Sequence, residues 1–101
     1  MSLTYYDRQG RPITDTMAWA KKFEDPNYKR VARTLLSNGR MVSTIWLGLN
    51  HQFGDGPPLI FETMVFSNED DLMELEGQRY ATEADAIAGH TLLCAKWEAE
   101  P

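Results

Sequence analysis

Hydrophobic and polar positions change period several times along this chain, and each change marks an element. Trp19, Ala20 and Phe23 recur at helical spacing behind Thr14 and Asp15, whose side-chain oxygens suit the free N–H groups of a first helical turn. Ile13 stands just outside, placed to fold back on that turn as a staple. Asp25-Pro26 closes the segment, because a residue before proline is pushed out of helical backbone angles. The reading is a short helix of about three turns. A strand or arm precedes it, reversed by the turn residues of Asp7-Arg8-Gln9-Gly10-Arg11-Pro12.

The next stretch reads as a hairpin, with Ser37-Asn38-Gly39-Arg40 between two runs rich in β-branched and apolar residues. Asn-Gly is the strongest short hairpin signal, because both residues tolerate positive φ. A two-residue loop pairs Leu36 with Met41, Ala32 with Ile45 and Tyr28 with Leu49. That register gathers Leu36, Met41, Ala32, Ile45, Leu47, Tyr28 and Leu49 on the expected core face. Lys29, Arg33, Thr44 and Gly48 go to the other, with Val31, Leu35, Val42 and Trp46 among them. A slip of one residue would reverse the assignment.

Residues 59–66 form a mostly apolar run that reads as a third strand, central or covered on both faces. Residues 51–58 make a longer connection to it than a tight hairpin needs. Residues 67–77 form an acidic connector, with one helical turn expected at Leu72-Met73, and residues 78–81 add a short edge strand. Thr82 and Asp85 then resemble a capping box. Ala86, Ile87, His90, Leu93, Cys94 and Trp97 follow as the apolar stripe of an amphipathic helix. The sum is a single α+β domain over residues 1–101 in two layers. It has a three- to four-stranded antiparallel sheet, with a short N-terminal helix and a C-terminal amphipathic helix on one face.

Length agrees, since 101 residues with 43% hydrophobic positions suffice for one core and not for two. A lone Cys94 excludes an intramolecular disulfide framework. The polar N-terminal residues lack an apolar signal core, and no apolar run approaches the ~18 residues of a membrane span; no membrane partner is expected. The net charge of −5 disfavours non-specific coating of nucleic acid. That figure hides a division. Residues 1–50 hold eight basic and four acidic residues, a charge of +4, whereas residues 51–101 hold two basic and eleven acidic, a charge of −9.

Candidate chemistry is sparse. Nucleotide-loop, zinc-protease and paired-cysteine motifs are absent, so no enzyme activity and no cofactor or metal is expected. His51, Asp55 and Glu62 could support acid–base or metal chemistry only if the fold brought them together. His90 lies inside an apolar stripe and reads as a satisfied boundary histidine. Cys94 reads as core rather than nucleophile, free cysteine being among the most buried residue types. Lys29, Arg30 and Arg33, with Tyr28 and Trp46, join basic to aromatic groups as phosphate contact and base stacking require. Trp46, His51, Phe53, Asp55, Asp70 and Asp71 are the candidates for binding a protein partner. Sheet edges and an outward Trp46 make a homodimer a further candidate.

The segment from Ser43 through Trp46-Leu47-Gly48-Leu49-Asn50-His51, followed by Gly56-Pro57-Pro58-Leu59-Ile60-Phe61-Glu62-Thr63-Met64-Val65-Phe66, resembles a family of small proteins encoded by tailed bacteriophages. The likeness extends to Arg79-Tyr80-Ala81-Thr82-Glu83, to Ala88-Gly89-His90 and to Trp97. It carries no functional residues over. It implies a phage accessory protein, made in the cytoplasm of the bacterial host, that binds a host or phage protein and modulates a host process. The alternative is a nucleic-acid or nucleotide-binding module using Lys29, Arg30 and Arg33.

Overall fold

The computed structural model describes residues 4–50, 56–71 and 73–101. Tyr5–Tyr6 (β1) and Pro12–Ile13 (β2) form a small hairpin ahead of helix α1, Thr16–Glu24. Asp15 caps α1 by accepting from Met17 N, as its sequence position indicates. Asp25 is extended and ends α1, but it also starts a second short helix, α2, Pro26–Lys29, by accepting from Asn27 N. Tyr28 and Lys29, expected in the first strand of the hairpin, therefore belong to α2. Strands β3 (Arg30–Leu35), β4 (Met41–Trp46), β5 (Phe61–Phe66) and β6 (Glu74–Tyr80) follow, and helix α3 (Glu83–Ala99) closes the chain. The four strands pair antiparallel in chain order, so β5 is central, and the α+β class expected from sequence is observed.

Turn chemistry decides which face of the hairpin is core. Leu36 N donates to Arg40 O at 2.7 Å and Gly39 N to Leu36 O at 3.0 Å, leaving Ser37, Asn38 and Gly39 in the loop. Gly39 adopts a φ of 89°, the left-handed residue that completes a three-residue loop built on a type I turn. Leu35, not Leu36, thus pairs with Met41, and Ala32 pairs with Thr44. This one-residue slip corrects the expected core face. Val42, Thr44 and Trp46 are fully buried, while Ile45 lies on the opposite side of the sheet.

Two apolar clusters fill the space between sheet and helices. Leu36, Val42, Val65 and Leu93 form one, with Cys94 and Trp97 against it. Trp46, Ile60, Phe61 and Ala86 form the other, covered by Trp19, Phe23 and Tyr28 from α1 and α2. Trp46 and Tyr28 meet edge to face with ring centroids 4.9 Å apart.

A row of polar side chains runs between the clusters. Thr34 Oγ1 is 2.9 Å from His90 Nε2, and His90 Nδ1 is 2.7 Å from Thr44 Oγ1. Thr44 and Thr63 share a hydrogen bond of 2.5 Å. The row crosses β3, β4 and β5 beneath α3. Each member finds its partner within it, which is what makes burial tolerable.

α3 begins as expected, with Thr82 Oγ1 accepting from Asp85 N at 3.1 Å. Its far side is different. Ile87, expected in the core stripe, is 49% exposed, and Leu92 is 71% exposed. The connector also differs, because β6 is already extended from Glu74. Met73 is not helical, and Leu72 lies outside the described residues.

Candidate docking face

The helices leave one side of the sheet open. Strand pairing sets three cross-strand rows on it: Leu35, Met41, Phe66 and Glu74; Arg33, Ser43, Met64 and Gly77; Arg30, Ile45, Glu62 and Arg79. Alternation explains their placement. β5 buries Phe61, Thr63 and Val65 toward the helices, so Glu62, Met64 and Phe66 point away and are half-buried. Of the two alternatives expected for β5, central or covered on both faces, the first is observed: it is an interior strand covered by the helices on one face.

The open face has an apolar centre and two charged flanks. Met41, only 6% exposed, and the half-buried Ile45, Met64 and Phe66 occupy the middle strands, and Leu35 at the β3 edge is 55% exposed. Arg30 and Arg33 flank them on β3 and are exposed. With Lys29, Pro26, Met41, Ser43, Ile45 and Glu69 they line an open concavity of about 390 Å³. Arg33 lies along the floor, its Nε donating to Met41 Sδ at 2.9 Å. Lys29 instead holds its ammonium 3.8 Å from the Phe23 ring centroid, a cation–π contact that restrains it.

On the opposite flank Glu62 pairs with Arg79 at 3.1 Å. The Glu74 side chain folds over Gly77, where a Cβ would lie only 2.4 Å from Glu74 Oε1. Glycine at 77 thus lets a carboxylate lie flat on the sheet. Glu76 points the other way, toward α3, and accepts from Lys96 Nζ at 2.7 Å and Trp97 Nε1 at 2.9 Å. Hydrogen bonds from Lys96, Gln78 and Trp97 hold its carboxyl at about 2.

The residues singled out in the sequence separate sharply. Trp46 is not a surface group: it is fully buried, and its Nε1 donates to Tyr6 O at 2.9 Å. The notion that Lys29, Arg33 and Trp46 share an outer face is therefore corrected, for Trp46 is on the helix side. His51, Phe53 and Asp55 lie outside the described residues. Glu62, the remaining member of that acid–base grouping, is engaged with Arg79.

Asp70 and Asp71 are exposed in the turn between β5 and β6, where their backbone N–H groups bind Asn68 Oδ1. Asp71 Oδ1 in turn accepts from Met73 N at 3.2 Å, so these acids shape a turn. His90 is buried between Thr34 and Thr44, and burial holds its pKa below the ordinary histidine value. No three metal-ligating side chains cluster among the described residues.

No family model, curated protein or solved structure matches this chain. The open face is read on its own geometry. Met64, Phe66 and Ile45 were legible as apolar strand residues, but their side of the sheet depended on a loop of three residues rather than two.

Proposed function

We propose that this protein is a non-catalytic binding module, a phage accessory protein whose open sheet face docks on a host or phage protein and so modulates a process in the infected cell. The observation that carries the reading is the arrangement of Met41, Ile45, Met64 and Phe66 between charged flanks on the side away from the helices. An apolar centre with a polar rim is the anatomy of a protein interface. A sheet face that stays wet normally alternates to polar residues instead.

Nucleic-acid binding retains Arg30 and Arg33 as phosphate contacts. It loses Trp46, which is buried and cannot stack on a base.

The test is a photo-cross-linking amino acid, benzoylphenylalanine, placed at Met64 and irradiated in the cells that produce the protein. A discrete protein adduct is expected from position 64 and none from Asp85 on α3. Equal labelling at both positions, or none at 64, overturns the reading. An RNA or DNA adduct at 64 transfers it to nucleic acid.

A further inference from the structure

We propose that the occupant of the open sheet face is a second copy of this chain, packed face to face about a two-fold axis parallel to the strands. The inference rests on the docking reading above and narrows its partner: among host and phage proteins, the one docked on the face is this chain itself. Charge complementarity carries it. Arginines sit on one flank, at β3, and the Glu74 carboxylate lies on the other, over Gly77.

A two-fold axis parallel to the strands sets β3 of one copy over β6 of the other and β4 over β5. It keeps each cross-strand row at its own level, so Arg33 of one copy meets the Glu74 carboxylate at Gly77 of the other, twice. In the next row Arg30 meets the neutralised Glu62–Arg79 pair. In the third, the half-buried Phe66 of each copy meets the strand position of the nearly buried Met41 of the other. The other in-plane axis, across the strands, sets β3 on β3 and opposes arginine to arginine. Charge thus selects one of the two arrangements. The chosen one keeps strands nearly aligned, as in two-layer sandwiches.

Size sets the strength. Four strands about 4.8 Å apart and six residues long at about 3.4 Å each give a footprint near 400 Å². Doubled over both copies this is about 800 Å², below the roughly 1,000 Å² of a stable interface, so the dimer is weak, reversible and concentration-dependent.

The test is sedimentation equilibrium of the whole chain over a series reaching millimolar protein, for wild type, R33E, E74R and the double variant. Wild type is expected to approach twice the chain mass. Each single reversal should weaken association at least about tenfold, and the double reversal should restore it. Both positions are solvent-facing, and circular dichroism confirms that each variant is folded. Should a variant fail to fold, M64E substitutes for it and is expected to be monomeric.

A wild-type monomer throughout overturns the proposal, as does a double variant no better than the singles. If wild type is monomeric while position 64 still cross-links a foreign protein, the docking reading survives and the second copy is excluded. If position 64 cross-links nothing and wild type is monomeric, both fall.

Discussion

Trp46 is the residue whose role changes most between sequence and structure. Read on a two-residue loop it faces outward and invites a partner. In the fold it is fully buried, with Phe23 and Tyr28 against it and its indole N–H spent on Tyr6 O. Trp46→Ala is therefore expected to cost about 3–5 kcal/mol in denaturant unfolding, the range for truncating a buried large aromatic. A loss below about 1 kcal/mol would return Trp46 to the surface. Gly48 is tied to the same cluster. Its φ is 76°, and a Cβ there would come within 2.5 Å of Trp19 Nε1 and Trp46 Cζ2. Gly48→Ala should destabilise by more than about 1 kcal/mol, from backbone strain and the displaced rings together.

The hairpin between β3 and β4 shows what an element adds to its residues. Asn38 and Gly39 mark the turn in sequence, but the loop also closes the C-terminus of α3. Asn38 Nδ2 and Arg40 Nη1 both donate to Trp97 O, at 2.8 and 2.9 Å, and Arg40 reaches Glu100 O and Pro101 O as well. Ser37 completes the contact through Glu98. A guanidinium at the negative end of a helix satisfies carbonyls that have no partner within it. Arg40→Ala is expected to lower unfolding stability by about 1–2 kcal/mol, and hydrogen exchange should speed up in the last turn of α3 first. None of this was legible in the sequence, because 57 to 61 residues separate the partners. The capping box of α3 was legible because it is local. Its exposed Ile87 and Leu92 were not, since helical spacing alone does not say where an apolar stripe stops.

Acid should lower the stability of the whole molecule in two steps of known sign. His90 has a lowered pKa, so the unfolded chain takes up a proton as pH falls below the ordinary value of 6.5, before the folded one does. Its contribution is complete above that value and is lost as pH drops toward the folded pKa. Glu76 acts lower: its contribution is full above 4.5 and disappears as pH falls toward about 2. Because Lys96 is half exposed, that second loss stays below about 1 kcal/mol. Denaturant midpoints measured against pH should lose the first step in His90→Gln and show a smaller second step in Lys96→Ala.

The α+β class and order of elements were readable from periodicity and caps. The open face was not, because it depends on a register that a single loop residue reverses. The +4 and −9 halves remain distinguishable in the fold, with arginines at the β3 edge and acids toward β6. Shape agrees with an uncovered sheet. The radius of gyration is 14.3 Å against about 13 Å for a compact chain of this length, and the thinnest dimension is 21 Å.

A second copy of this chain, on the proposal above, sits on this face and not on the exposed side of α3. Methyl resonances followed through a dilution series test it directly. Met41, Ile45 and Met64 should shift with concentration while Ile87 and Leu92 stay fixed. Shifts confined to Ile87 and Leu92, or no shift at either group up to millimolar protein, would contradict it.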